Sequence, residues 1–159
     1  MEEAGNKEVK SLSELRDVAE KFLAMLNTTD ASMETPATVI GLSGDLGSGK
    51  TAFVKCIASA LGITNTVNSP TFILEKIYNI PKNPFFGDRF TKLIHIDAYR
   101  LTSGDEMKSL GWETLLKERE NLIFLEWPEQ VKSALPENII TLSFKHIDET
   151  TRCIEGLSF

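Results

Sequence analysis

One octapeptide, Gly44-Asp45-Leu46-Gly47-Ser48-Gly49-Lys50-Thr51, narrows the folds open to this chain more than any other stretch. It has the phosphate-loop spacing: Gly, four residues, Gly-Lys, then Ser or Thr. The glycines let the backbone turn tightly and approach a phosphate chain. Successive N–H groups then line an anion-binding concavity, and a following helix aims its positive end at the same place. In such a loop Lys50 bridges the β- and γ-phosphates, and the Thr51 hydroxyl ligates Mg²⁺. The alternative is a plain glycine-rich turn between a strand and a helix. The flanks oppose that alternative. Thr38 to Ser43 is a buried-strand run, and Ala52 to Leu61 is a good helix stopped by Gly62. The overlapping Gly44-x-x-Gly47-x-Gly49 has the wrong spacing for a dinucleotide fingerprint.

At 159 residues, with 42% hydrophobic and 25% charged, the chain is expected to form one soluble domain with a sizeable core. Its net charge of −6 argues against a broad nucleic-acid surface, though a local basic patch is still allowed. Cys56 falls on the apolar pattern of the helix after the loop and far from Cys153, as a buried free thiol would. There is no apolar run of membrane-spanning length, and the N-terminus is acidic. A reducing cytoplasm is the expected compartment.

Along the chain, Met1 to Lys10 is polar and expected to fray. Ser11 or Ser13 can cap a helix whose buried face is Leu12, Leu15, Val18, Ala19, Phe22, Leu23 and Leu26. Asn27 to Pro36 reads as a linker. After the phosphate loop and its helix, Ile63 to Asn68 is a candidate edge strand. Ser69-Pro70-Thr71-Phe72 is a stiff loop presenting Thr71, or a simple turn before a strand from Phe72 to Tyr78. Asn79 to Lys92 reads as a hairpin excursion, with Phe85 and Phe86 folded back or offered to a partner. Leu93 to Ala98 is a strand with His95 and Asp97 on one face and Ile94 and Ile96 on the other. Helical stretches follow from Ser103 or Gly104 to about Leu110, and from Trp112 to Lys117. Leu122-Ile123-Phe124-Leu125 suggests a strand buried on both faces, ending in Glu126. Pro128 opens a helix to about Leu135. Asn138 to His146 and Thr151 to Phe159 form an antiparallel pair around Asp148-Glu149-Thr150. The expected fold is therefore α/β: a three-layer P-loop nucleotide-binding architecture with a mainly parallel central sheet and that C-terminal pair.

A phosphate loop plus acids at strand ends suits nucleoside triphosphate hydrolysis, which needs positioning and charge neutralisation. Thr51 and Glu126 are the candidate Mg²⁺ ligands. Aspartate is the commoner residue at the strand end where Glu126 stands. Asp97 is placed to orient water or support the metal, and Thr71 to sense the γ-phosphate as a switch residue. His95 can act as a base or as a structural partner of Asp97 or Tyr99. Trp127 can stack near the nucleotide or pack under the sheet. A small-molecule kinase is a competing class, but no arginine cluster suited to a lid follows the mid-chain helices. A GTPase switch is another, but the guanine-reading Asn-Lys-x-Asp segment is missing.

Four segments together resemble the bacterial TsaE (YjeE) ATPases of tRNA threonylcarbamoyladenosine biosynthesis: Gly44 to Thr51, Ser69-Pro70-Thr71-Phe72, His95-Ile96-Asp97-Ala98-Tyr99-Arg100-Leu101 and Glu126-Trp127-Pro128-Glu129. The last two are the specific ones. The resemblance implies a single-domain protein that binds ATP and Mg²⁺ and hydrolyses ATP slowly alone. It also implies docking on TsaD and TsaB, which with TsaC modify adenosine in tRNA, and a role in resetting that assembly. By position, Gly44, Asp45, Leu46, Gly47, Ser48, Gly49 and Lys50 bind phosphates, Thr51 and Glu126 hold Mg²⁺, Asp97 lies in the ATP site, and Thr71 and Trp127 are functionally important. Ala52, Ala98 and Leu15 depart from the family pattern. Leu15 replaces a threonine near the nucleotide. The Asn79 to Lys92 excursion is longer than usual, and Arg152 matches a frequent arginine.

Overall fold

The computed structural model describes residues 5–28, 36–64, 74–82 and 89–159. The strands β1 (Gly5–Val9), β2 (Thr38–Ser43), β3 (Glu75–Asn79), β4 (Lys92–Asp97), β5 (Asn121–Glu126), β6 (Ile140–His146) and β7 (Arg152–Leu157) form one seven-stranded sheet, ordered β1-β7-β6-β2-β5-β4-β3. Its α-helices are α1 (Leu12–Thr28), α2 (Lys50–Ala60) and α3 (Trp112–Lys117), with 3₁₀ segments at Gly104–Leu110 and Pro128–Ala134.

Parallel pairing is confined to the central strands β6, β2, β5 and β4. The central strands and the C-terminal pair are as expected, and the structure adds antiparallel pairing by β1 and β3 at the two edges, so the sheet is mixed. The reason lies in the connections. Parallel neighbours need long crossovers, whereas β6 reaches β7 through a short turn in which the Asp148 carboxylate accepts the Thr150 and Thr151 N–H groups at 2.9 and 2.8 Å. At the other edge, β3 and β4 are joined at the base of the predicted excursion, with Asn79 opposite Lys92 and the Ile80 N–H donating to Thr91 O at 2.9 Å. Phe85 and Phe86 lie outside the described residues, as do Ser69 to Phe72 and most of the Ile63 to Asn68 segment. Ile63 and Thr64 are not in a strand.

The expected fraying does not hold for Gly5–Val9; Met1 to Ala4 lie outside the described residues. Gly5–Val9 is an edge strand whose Asn6 to Val9 pair with Glu155 to Arg152. Only Val9 of this strand is buried. Backbone hydrogen bonds hold the strand, and they leave no hydrophobic signature in the sequence.

Helix α1 starts at the expected serine. Ser11 Oγ accepts the Glu14 N–H at 3.1 Å, and the Glu14 carboxylate reaches back to the Lys10 N–H at 2.7 Å. This is a reciprocal cap of the capping-box kind. Ser11→Ala is expected to destabilise the fold by about 1 kcal/mol in denaturant titration. The helix buries Leu15, Val18, Ala19, Phe22, Leu23 and Leu26 but leaves Leu12 54% exposed, because the first turn lies short of the core. It also runs to Thr28, into the predicted linker.

Strict alternation along the central strands builds two cores. Ile40, Leu42, Leu93, Leu122 and Phe124 face α1 and α2, where Phe53 packs against Phe22, Phe124 and Phe144 at ring-centroid distances of 5.9, 6.2 and 5.5 Å. Val39, Ile94, Ile96, Ile123 and Leu125 face Met107, Trp112 and Val131 in the 3₁₀ and α3 layer. The Trp112 indole N–H donates to Ala134 O at 2.8 Å, tying that layer together. The result is three layers, with β5 buried along its whole length as four consecutive apolar residues predict. Cys56 is a buried free thiol, pushed up in pKa by desolvation. Among the described residues, no helix is long and apolar enough to cross a membrane.

Candidate active site

The central parallel strands share one C-terminal edge, and α/β sheets place ligands at that edge. β2 ends at Ser43, the loop turns through Gly44 to Gly49, and α2 begins at Lys50. Gly44, Gly47 and Gly49 have φ of 143°, 77° and 109°, a region L-residues rarely adopt. At Gly44 a Cβ would also lie 2.4 Å from Phe144 O. The glycines are therefore required by conformation, and at Gly44 by space as well. The first N–H groups of α2 have no partners within the helix, and a helix N-terminus of this kind is suited to an anion.

Lys50 is 4% exposed. Its ammonium folds back to donate to Gly44 O and, at 2.9 Å, to Asp45 O. The Nζ also lies 4.6 Å from the Trp127 ring centroid, a cation–π contact. Desolvation lowers the Lys50 pKa, while the carboxylates of Glu126, Asp97, Glu129 and Asp45 push it back up. A phosphate placed here would act in the same sense as those carboxylates.

Beside the lysine, Thr51 Oγ1 donates to the Glu126 carboxylate, 3.2 Å from Oε1 and 3.3 Å from Oε2. Glu126 ends β5, next to the strand that feeds the loop, and it is buried. Asp97 sits opposite Glu126 in the β4–β5 register, with Oδ1 accepting the Tyr99 N–H at 2.9 Å. Trp127 has φ 60° and ψ 51°, the only positive φ among the described non-glycine residues. Such a backbone costs about 1–3 kcal/mol and is held here by its neighbours. Its N–H donates to Leu42 O at 3.1 Å, and its ring meets Lys50 and, 5.1 Å away between centroids, Tyr99.

These groups line one cleft of about 420 Å³, formed by Leu46 to Ala52 with Asp97, Tyr99, Glu126 and Trp127. Gly44 and Asp45 lie behind it, as acceptors for Lys50. All the site residues read from the sequence thus converge, except Thr71, which lies outside the described residues. Trp127 combines the two placements open to it, lining the cleft beside Lys50 and packing against the second core. His95 pairs with Glu126, not with Asp97 or Tyr99: its Nε2 is 2.6 Å from Glu126 Oε2. Strand alternation could show which face His95 occupies but not its partner on the next strand.

The donor set suits a hard cation. A hydroxyl and carboxylate oxygens meet at one point, and Mg²⁺ needs few protein ligands because water and phosphate oxygens complete its shell. Among the described residues there is no cluster of three or more His, Cys, Asp or Glu side chains that could hold a metal alone.

A second hollow of about 390 Å³ opens on the other side of the loop, between Lys10, Ser11 and Leu15, the glycines 47 and 49, and Phe144 and Arg152. No local spacing announces it. Its walls come from the start of α1, the loop and the C-terminal strand pair. Leu15 and Arg152 are its only lining residues outside the phosphate loop and Ala52 that the family resemblance singled out.

Comparison with known proteins points to one family. A family model described as "Threonylcarbamoyl adenosine biosynthesis protein TsaE" matches residues 9–154. The tRNA threonylcarbamoyladenosine biosynthesis protein TsaE of Bacillus subtilis is 35% identical over 122 residues, covering 77% of this chain and 70% of its own. That of Rickettsia bellii is 34% identical over 145 residues, covering 91% and 88%. The crystal structure of Bacillus subtilis YdiB superposes with a TM-score of 0.70 at 26% identity, covering 98% of this chain and 85% of the other. Matched along nearly its whole length by both sequence and structure, the chain belongs to the TsaE family of threonylcarbamoyladenosine biosynthesis proteins.

Proposed function

We propose that this chain is a P-loop ATPase, a single domain over residues 1–159, serving the tRNA threonylcarbamoyladenosine machinery of the cytoplasm. The observation that carries the reading is the Thr51–Glu126 contact beside Lys50, at the mouth of a glycine loop and a helix N-terminus. In this reading the loop amides from Gly44 to Gly49 and the Lys50 ammonium bind the phosphates of ATP. Lys50 leaves the Gly44 and Asp45 carbonyls to do so. Thr51 and Glu126 hold Mg²⁺, which when bound neutralises charge on the phosphate oxygens. Asp97 orients the attacking water, and Trp127 and Tyr99 cover the phosphates from the far wall. The second hollow accepts the nucleoside end, against Leu15 and Phe144. Thr71 is assigned the switch role that answers to the γ-phosphate.

The partners in this reading are TsaD and TsaB, with tRNA contacted only through them. The acidic net charge fits docking on proteins better than gripping tRNA. Gel filtration of the purified chain with TsaD and TsaB is expected to give a complex whose stability differs between ATP and ADP, and ATP turnover is expected to rise in the complex. Failure to co-elute with either nucleotide, together with unchanged turnover, would overturn the docking role.

A further inference from the structure

The contact between His95 and Glu126 is the shortest described bond to this carboxylate, and it is buried on both sides: His95 is 0% and Glu126 3% exposed. The other ring nitrogen, Nδ1, is buried with no hydrogen-bond partner among the described residues. Only one ring position therefore faces an acceptor. A neutral imidazole carries a single N–H, and the buried acceptor is at Nε2. A proton on Nδ1 would leave that N–H unsatisfied and set two lone pairs against each other across 2.6 Å.

The carboxylate so held is a glutamate where a strand-end aspartate is commoner. The extra methylene adds a torsion and rotamer freedom that must be lost when the group acts at a fixed point. His95 stands on the adjacent strand, where parallel β4–β5 pairing places it opposite Phe124, two residues before Glu126. From there it reaches Oε2, while Thr51 Oγ1 stands almost equally close to both carboxylate oxygens, 3.2 Å from Oε1 and 3.3 Å from Oε2. A short, buried, charge-assisted bond of this kind fixes orientation more firmly than the longer Thr51 contact.

We propose that His95 is a positioning residue for the Mg²⁺ site: as the Nε2–H tautomer it anchors Glu126 Oε2, which turns the carboxylate toward Thr51 and the cleft. This inference rests on the Mg²⁺-ATP reading above. It assigns His95 neither base nor ligand duty.

The test is the ratio of ATP affinity measured calorimetrically in Mg²⁺ to that in EDTA, for the wild type, His95→Leu and His95→Gln. Glutamine's amide nitrogen extends about as far from the backbone as imidazole Nε2, so it keeps a donor; leucine keeps bulk alone. Outer-sphere partners of metal ligands are worth roughly 10–100-fold in metal affinity, so the ratio is expected to fall about tenfold in His95→Leu and to stay within about threefold of wild type in His95→Gln. A wild-type ratio of one would overturn the Mg²⁺ reading and this inference with it. A wild-type ratio well above one that His95→Leu leaves unchanged, or that His95→Gln lowers as far as leucine does, would overturn the inference alone. Nitrogen-15 NMR of the wild type provides a check that no unstable variant can compromise. Nε2 is expected to carry the proton and Nδ1 to be pyridine-like, and a proton on Nδ1 would overturn the assignment.

Discussion

Lys50→Ala is expected to lower ATP affinity about a hundredfold, roughly 2.7 kcal/mol, as a single ammonium serving two phosphates should. The magnitude follows from where the lysine sits. It is almost fully buried, so its bonds to phosphate oxygens would form in a low-dielectric cleft and not in competing water. It is already held among acceptors, at the Gly44 and Asp45 carbonyls, so exchanging those carbonyls for phosphate oxygens requires little reorganisation. The loop amides and the α2 N-terminus remain in the variant, which is why some binding should persist. Calorimetry gives the affinity directly. A second readout is thermal: ATP should raise the wild-type Tm through preferential binding to the folded state and leave that of Lys50→Ala nearly unmoved at the same concentration. Equal affinity in the two proteins would remove Lys50 from the phosphate role.

Glu126→Gln is expected to reduce Mg²⁺-dependent ATP turnover by about 10²–10³-fold, the scale seen when one preorganised electrostatic group is lost from a reacting centre. Glutamine is the informative replacement. It preserves volume, and its amide oxygen can still accept from the His95 Nε2–H, so the buried pair is not orphaned. What disappears is the negative charge beside Thr51. Glu126→Ala would remove the charge too, but it would leave the His95 donor buried without an acceptor, at a cost to stability of about 1–3 kcal/mol. Single-turnover hydrolysis with Mg²⁺ should therefore be slow in both variants, and denaturant titration should separate them, with only alanine losing substantial stability. Wild-type turnover in Glu126→Gln would mean that the strand-end acid is an ordinary buried carboxylate, with cation binding left to Thr51 and Asp97.

These expectations draw unequally on sequence and structure. The glycine loop, α2 and the doubly buried β5 are legible residue by residue, because positive-φ glycines, helical periodicity and unbroken apolar runs are written in adjacent positions. The antiparallel pair β6–β7 is legible for the same reason, through its turn residues. The edge strand β1 is not. It contributes one buried side chain, Val9, and owes its place to backbone pairing with residues at the far end of the chain. Leu12 shows the opposite error: a helical stripe predicts a face but not where along the helix the core begins.

What the sequence by itself determined is the identity of the chemistry-bearing groups and the strand ends that carry them: a glycine loop with phosphate-loop spacing at Gly44 to Thr51, acids at Asp97 and Glu126, and the segments that point to the TsaE family. What only the tertiary structure decided is which of them touch. Thr51 and Glu126 are 75 positions apart and His95 and Glu126 are 31, and the contacts exist because β2, β5 and β4 lie side by side in one sheet. Lys50 resting over Trp127, and the hollow shared by α1, the loop and the last two strands, arise in the same way. The physical reason is that backbone conformation and burial pattern are local properties of a chain, whereas a side-chain pairing depends on strand order and register. Those are set by which long-range packing buries the most apolar surface.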